Sequence, residues 1–154
     1  MSGKVKPIPD GYHTVTPYLI VRGAAAAIAF YEKAFDAVEL VRMPGPDGRI
    51  GHAEIRIGNS PVMLADENPM SRGPGAFGGS PVSLLLYVED VDATVARAVS
   101  GGAKIVRPVE VQFYGDRMGG IEDPFGHQWY VATHVEDVSP EEMRRRSEKL
   151  AAAK

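Results

Sequence analysis

Residues Tyr114 to Glu142 read YGDRMGGIEDPFGHQWYVATHVEDVSPEE, a run in which a turn sequence lies between two segments of strand-forming residues. Asp123-Pro124-Phe125-Gly126 has proline where a β-turn requires φ near about −65° and glycine at the fourth position. The segment that follows, Gln128 to Thr133, is rich in aromatic and β-branched residues, as is typical of a half-buried strand. The stretch therefore predicts a strand, a tight turn and a second strand.

The rest of the chain follows one order of elements twice. The first pass predicts a strand, a helix and three strands at residues 13–21, 24–35, 37–43, 51–57 and 61–66. The second pass predicts the same elements at residues 82–88, 91–100, 104–109, 114–122 and 128–133. In the first helix Ile28, Tyr31 and Phe35 recur at helical spacing, and the second helix ends at Gly101-Gly102. Each pass is a βαβββ module.

The module boundaries follow from composition. The first module spans residues 11–66, and the Gly-, Pro- and Ser-rich residues 67–80 form a linker or mobile flap. The second module spans residues 81–134. Residues 135–154 form a tail in which Ser139 as N-cap, Pro140 at the first helical position and Glu142 predict a short helix.

The two modules align with each other at a constant offset. Val21 precedes the first helix and Val88 the second, 67 positions later, and the same offset separates Met63 from Tyr130 in the last strands. A repeat of this kind predicts two pseudo-symmetric modules whose sheets together enclose a space. The expected fold class is α+β, with a curved sheet around a cavity.

Composition limits the function classes. With 154 residues the chain is long enough to bury a core, and a net charge of −3 with interspersed signs disfavours nucleic acid and membrane surfaces as partners. The chain has no cysteine, so disulfides and thiolate metal ligands are excluded. The beginning of the chain has no apolar leader, and no run approaches the ~20 apolar residues of a membrane span. We expect a soluble, cytoplasmic protein.

Four stretches of the chain resemble the vicinal oxygen chelate superfamily of glyoxalases, bleomycin-resistance proteins and dioxygenases, and most of all its PhnB-like branch. They are TPYLIVRGAAAAIAFYEKAF, HAEIRIGNSPVMLADE, LLLYVEDVDATVARAV and the stretch from Tyr114 to Glu142. The resemblance covers roughly residues 11–142. It implies a curved sheet open on one side, with helices behind it, and a homodimer. The modules can pair within one chain or between two, because the linker reaches either way.

The resemblance also implies where a metal would bind. In metal-dependent relatives four His, Gln or Glu ligands come from the first and last strands of the two modules. The corresponding positions here are Thr16, Met63, Ser83 and Tyr130, which are poor ligands for a divalent ion. We therefore expect no metal and no other cofactor, and we expect these four residues, with Tyr18, to contact a ligand instead.

One predicted strand carries a polar face. His52, Glu54 and Arg56 alternate with apolar residues, so they share one side of the strand. They form a solvated face or an ion pair, or they contact a ligand, with His52 and Glu54 as an acid/base pair; metal ligation by His52 and Glu54 is a third alternative. A turn at Asn59-Ser60 would place Arg56 opposite Met63. That arrangement gives an apolar pocket with one cationic corner, suited to an organic acid.

Two further side chains are candidates near the C-terminus. Arg117 either pairs with Asp116 or binds a substrate carboxylate. Alternation places Tyr130 towards the cavity and Trp129 in the core behind the sheet. His13 is expected at the surface, and His127 is expected in a turn.

The predicted function is binding of a small organic molecule between the modules, in the manner of a bleomycin-resistance protein and without the usual metal. The alternative is an enzyme. It would be a metal-dependent lyase, isomerase or dioxygenase with an atypical site, or an acid/base catalyst that uses His52 and Glu54.

Overall fold

A computed structural model, which describes residues 3–154, has the expected α+β architecture. Its elements are β1 (Tyr18–Val21), α1 (Ala24–Phe35), β2 (Val38–Pro44), β3 (Ile50–Ile57), β4 (Ser60–Asp66), β5 (Ser83–Tyr87), α2 (Val91–Ser100), β6 (Lys104–Val111), β7 (Asp116–Glu122), β8 (Gln128–His134) and α3 (Pro140–Ala152). The first four strands form one sheet in the order β1-β4-β3-β2, and the last four form another in the order β5-β8-β7-β6. In each sheet the first and last strands of the module are parallel, and the other pairs are antiparallel.

The described chain divides into two compact units. The first contains the residues up to Ser80 together with Pro124–Gly126, and the second contains Pro81–Asp123 and His127–Lys154. Each unit holds one βαβββ module. The tip of the β7–β8 turn belongs to the first unit, where the ring of Phe125 packs edge-on against Phe30 of α1 at 6.3 Å between centroids.

The core of the first unit lies between α1 and one face of its sheet. Ile28, Tyr31 and Phe35 are buried as their spacing predicts, and Phe30 is buried beside them. The facing sheet residues alternate along their strands and are all buried: Leu19, Val21, Ala53, Ile55, Ile57, Val62 and Leu64. This alternation leaves the other face of the same sheet to polar and half-buried side chains.

The start of α1 depends on a side chain from β4. Gly23 precedes the helix with φ of 99°, a conformation that glycine adopts without strain, and it has no capping side chain. Asp66 supplies the cap instead, because its Oδ1 accepts hydrogen bonds from the backbone N–H groups of Gly23 and Ala24. Its Oδ2 accepts a third from Ile50 at the start of β3. Asp66 therefore joins the helix to two strands.

The register confirms the internal repeat. Tyr18 pairs with Met63 in the first sheet, and 67 positions later Leu85 pairs with Tyr130 in the second. The third strands depart from this offset. Glu54 lies opposite Met63, whereas Gly120, only 66 positions further on, lies opposite Tyr130. The difference arises because the β7–β8 turn is longer than the β3–β4 turn.

The core of the second unit repeats the pattern with different residues. Trp129 is buried in the core, as predicted, and Ile121 is buried beside it on the same face of the sheet. The indole Nε1–H of Trp129 donates to the buried Asp123 at 2.9 Å. Asp90 caps α2 by accepting from the Ala93 N–H, and α2 ends at Gly101 as predicted.

Two predicted elements need correction. The first strand begins at Tyr18 and not at His13, because its ladder with β4 starts at the Tyr18–Met63 pair, directly after Pro17, which has no N–H to donate. The C-terminal helix begins as predicted, with Ser139 Oγ accepting from the Glu142 N–H, but it is the longest of the three helices rather than a short one. None of the helices within residues 3–154 combines the length and apolar character needed to cross a membrane.

Candidate functional site

A pocket of about 530 Å³ lies within the first unit, on the side of the sheet away from α1. Its walls come from the segment before β1 and from the facing strands β3 and β4. The lining residues are Pro7, Ile8, Pro9, Tyr12, His13, Thr14, Thr16, Glu54 and Met63. We call it the first-module pocket. Its wall is largely apolar, and Glu54 is its acidic group.

Glu54 is the best-held polar side chain of this pocket. Only 14% of its side chain is exposed, although it carries a carboxylate. Oε1 accepts a short hydrogen bond from the Tyr12 hydroxyl, and Oε2 lies 3.4 Å from His52 Nε2. These two partners compensate the partial burial of the carboxylate, which would otherwise be costly.

His52 connects Glu54 to Tyr18. The Tyr18 hydroxyl lies 2.7 Å from His52 Nδ1, so the two imidazole nitrogens face different oxygen partners. If the phenol donates to Nδ1, the proton of the neutral imidazole is on Nε2 and points towards Glu54. Partial burial raises the pKa of Tyr18, and the charge of Glu54 raises it further, which keeps the phenol protonated as a donor.

The pKa of the Tyr12 hydroxyl is also raised. The bond to Glu54, together with burial, raises the pKa of Tyr12 above the ordinary value of 10.0. Tyr12 therefore acts as a neutral donor at physiological pH. Sequence reasoning missed this residue, because its contact with Glu54 joins positions 42 residues apart.

The structure brings several of the sequence-predicted residues together. The pocket is lined by Thr16, Glu54 and Met63. The side chains of Tyr18 and His52 lie on the same face of the sheet as Glu54. The shared face predicted for His52, Glu54 and Met63 is therefore confirmed. The Thr16 hydroxyl makes a long contact of 3.4 Å with the carbonyl of His13, whose side chain is exposed as expected.

Arg56 lies elsewhere than expected. The β3–β4 turn pairs Ile57 with Ser60, so Met63 faces Glu54, and Arg56 faces Pro61. The predicted pairing of Arg56 with Met63 is wrong by two residues, because the turn occupies Gly58 and Asn59. Arg56 is exposed and is not among the residues that line this pocket. The corner of the pocket is acidic and not cationic.

In the second unit, Ser83 and Tyr130 occupy the positions that correspond to Thr16 and Met63. Ser83 is exposed at the start of β5 and pairs with Gln128. The half-buried ring of Tyr130 lies over Gly120, where an added Cβ would come within 3.2 Å of the ring. The guanidinium of Arg107 lies 5.9 Å from the ring centre, within the range of a cation–π contact.

Arg117 of β7 and Tyr130 of β8 point to opposite faces of the second sheet. Its guanidinium makes two hydrogen bonds of 2.8 Å to Asp92 on α2. The interpretation that Arg117 pairs with Asp116 is therefore wrong, because adjacent residues of a strand point to opposite faces. Arg117 is already held by a carboxylate of the chain itself.

Asp116 instead takes part in a second polar cluster. The carboxylate is buried and accepts a hydrogen bond of 2.8 Å from Tyr87, while its other oxygen lies 2.7 Å from His134 Nδ1. His134 Nε2 lies 2.8 Å from Asp137. Sequence reasoning missed this cluster, which depends on the direct pairing of Asp116 with His134 across β7 and β8.

The donor chemistry at the four ligand positions does not suit a divalent ion. Thr16 and Ser83 offer hydroxyls, Met63 a thioether and Tyr130 a phenol, whereas such ions favour imidazole and carboxylate. His52 and Glu54 supply two better donors. Within residues 3–154, however, no group of three or more His, Asp or Glu side chains is arranged to hold a metal.

Comparison with known proteins identifies the class. The chain belongs to the Glyoxalase/Bleomycin resistance protein/Dioxygenase superfamily, whose family model matches residues 12–131. It is 47% identical to the uncharacterized protein Rv0887c of Mycobacterium tuberculosis over 135 residues, which cover 84% of this chain and 79% of that protein.

Solved structures agree with this assignment. The crystal structure of the Arabidopsis thaliana gene product At5g48480 superposes with a TM-score of 0.65 at 28% identity, covering 79% of this chain and 98% of that one. TioX from Micromonospora sp. ML1 superposes with a TM-score of 0.63 at 25% identity, covering 80% and 99% of the two chains. The two-module architecture is therefore that of the superfamily.

Proposed function

We propose that this protein binds a small organic molecule without a catalytic metal, and that a cationic or hydrogen-bond-donating group of the ligand meets Glu54. The observation that carries the proposal is the carboxylate of Glu54, 14% exposed, in the wall of an otherwise largely apolar pocket. Ligand sites of proteins commonly combine an apolar lining with a few well-placed polar groups.

Several features support Glu54 as the recognition group. Each of its oxygens has one near partner, Tyr12 or His52, and a carboxylate oxygen can accept more than one hydrogen bond. Both partners hold the carboxylate in one orientation before a ligand arrives. Preorganisation of this kind lowers the entropy cost of binding. Pro7, Ile8, Pro9 and Met63 provide the apolar surface for the rest of the ligand.

Calorimetric titration with matched small molecules tests the proposal. The panel contains alkyl and aryl amines, the corresponding neutral amides and the corresponding carboxylic acids. We expect the amines to bind most tightly and the acids to bind most weakly, because the acids bring a second negative charge to Glu54. This order is the reverse of the order that a pocket with Arg56 at its corner would give.

A variant pair separates specific recognition from net charge. Glu54→Gln keeps the shape and removes the charge, and we expect it to weaken amine binding about tenfold. Glu110→Gln removes an exposed carboxylate from β6 in the second unit and should leave binding unchanged. Equal affinity of Glu54→Gln and the wild type, or tighter binding of the acids, would refute the proposal.

A second candidate function is acid/base catalysis by Glu54 on the bound molecule. The chain of contacts from Tyr18 through His52 to Glu54 favours it, because such contacts position a carboxylate for proton transfer. In this case a bound ligand incubated in D₂O should exchange a C–H proton, observable by NMR, and Glu54→Gln should abolish the exchange. Ligand that binds but never exchanges supports binding alone.

Three further assignments stay predictions. Membership of the PhnB-like branch rests on the sequence resemblance, and so does the expected homodimer, which light scattering at micromolar concentration tests. Placement of the ligand between the two modules is also a prediction, and a crystal structure of a ligand complex would test it.

A further inference from the structure

A second pocket of the first unit is lined by three arginines. Arg22, Arg49 and Arg72 surround a space of about 260 Å³ together with Glu67 and Asn68. We call it the arginine pocket. It shares no residue with the first-module pocket and lies at the other end of β1, since Thr16 precedes this strand and Arg22 follows it.

The fold brings these residues together through the parallel pair β1 and β4. Because the two strands run in the same direction, the residues that follow them lie side by side, and the Glu67 N–H donates to the carbonyl of Val21 at 3.0 Å. Arg49 comes from the turn before β3, and Arg72 comes from the loop after β4. Gly73, the next residue, fixes that loop by donating its N–H to Glu67 at 2.9 Å.

The acidic side chains of this region are already engaged. Glu67 forms an ion pair with Arg22 at 2.8 Å and also accepts the Gly73 N–H. Asp66 accepts three backbone N–H groups, none of them from the arginine pocket. Arg49 and Arg72 make no direct ion pair within residues 3–154, although the charge of Arg49 helps to lower the pKa of Asp66 and the charge of Arg72 helps to lower the pKa of Glu67. The pocket therefore holds two guanidinium groups, each with unused donors, beside one internally compensated pair.

We propose that the arginine pocket binds a doubly charged oxyanion of the phosphoryl class, either inorganic phosphate or the phosphate group of a small monoester. Arg49 and Arg72, neither of which forms a direct ion pair, supply two positive charges for the two negative charges of the ligand, and their planar donor arrays match tetrahedral oxyanions. The volume supports a small group, because pockets for larger organic ligands generally exceed about 300 Å³.

Calorimetric titration with inorganic phosphate, against potassium chloride at equal ionic strength, tests this site. We expect saturable phosphate binding that strengthens between about pH 6 and pH 8, because the second phosphate proton is lost in this range. Arg49→Gln and Arg72→Gln should each weaken binding about tenfold. Arg144→Gln removes an exposed arginine of α3 and should bind phosphate like the wild type.

The choice of anions identifies the source of the phosphoryl group. Glycerol phosphate that binds more tightly than inorganic phosphate points to a phosphorylated organic ligand, and equal affinity points to phosphate itself. Both results support the site. Phosphate binding that is indistinguishable from the effect of chloride, or that is unchanged in both the Arg49→Gln and the Arg72→Gln variants, would overturn it. Amine binding at Glu54 is a separate measurement and does not decide this one.

Discussion

The hydroxyl of Tyr12 donates a hydrogen bond to Glu54, 42 residues further along the chain. This bond joins the irregular segment before β1 to the middle of the sheet. The same segment provides most of the lining of the first-module pocket. Tyr12 thus fixes one wall of the pocket and orients its carboxylate at the same time.

Removal of this hydroxyl should loosen the wall without unfolding the protein. We expect Tyr12→Phe to lower the unfolding free energy by about 1 kcal/mol, the usual net value of one hydrogen bond. Hydrogen–deuterium exchange should become faster in residues 7–16. Tyr114→Phe is the matched control, because the Tyr114 hydroxyl donates its hydrogen bond to the weak acceptor Met118 Sδ, at 3.5 Å. Equal exchange in residues 7–16 of both variants would contradict this role of Tyr12.

Regular elements were predictable from sequence where local chemistry sets their ends. Both core helices have the predicted bounds, because α1 begins after Gly23 and α2 is capped by Asp90 and ended by Gly101. The 67-residue offset also holds in the observed pairing of the first and last strands, Tyr18 with Met63 and Leu85 with Tyr130. The start of β1 was missed, because alternation along residues 13–21 does not show where the ladder with β4 begins, which is at Tyr18 opposite Met63.

The site was only partly predictable for the same reason. Alternation correctly placed Glu54 and Met63 on one face, but a turn position wrong by one residue moved Arg56 to the wrong partner. Tyr12 lies in a segment with no periodicity, and its contact spans 42 residues. The pairing of Asp116 with His134 needed the register of β7 and β8. Contacts between distant segments were therefore the missing part.

Asp66 should be among the most stabilising polar side chains of the first unit. We expect Asp66→Ala to lower the unfolding free energy by about 2 to 3 kcal/mol, because removal of the carboxylate leaves three backbone N–H groups without their acceptor. Asp90→Ala, which removes a single capping bond at α2, should cost about 1 kcal/mol. Urea denaturation at neutral pH compares the two variants, and equal costs would contradict the triple role.

The contribution of Asp66 also depends on pH. Burial raises the pKa of Asp66, but the hydrogen bonds from Ile50, Ala24 and Gly23 outweigh it, so the pKa lies below the ordinary 3.8. Because the pKa of Asp66 is lower in the folded state, its stabilisation is present at pH values above the pKa of the unfolded state. The stabilisation is lost as pH falls through the pKa of the folded state. The stability difference between wild type and Asp66→Ala should therefore shrink under acid conditions below about pH 4.

The four ligand positions predict a protein without tightly bound metal. Since Thr16, Met63, Ser83 and Tyr130 offer neither imidazole nor carboxylate, protein purified without an affinity tag should contain well under one equivalent of Ni, Zn, Fe or Mn. Elemental analysis measures the metal content, and chelators should leave the melting temperature unchanged. Stoichiometric metal would refute this prediction and would point to His52 and Glu54 as ligands.

His134 should make the second unit more stable in mildly acidic solution. Its hydrogen bonds to Asp116 and then to Asp137 raise the pKa of His134 above the ordinary 6.5. Because the pKa of His134 is higher in the folded state, its stabilisation is fully present at pH values below the pKa of the unfolded state. The stabilisation is lost as pH rises through the pKa of the folded state. The melting temperature of His134→Gln should thus fall furthest below the wild type near about pH 6, and the gap should narrow at higher pH. NMR titration of the imidazole gives the pKa directly, and Asp137→Asn should lower it while keeping the bond to Asp116. An imidazole that titrates below 6.5 in the wild type would contradict this account.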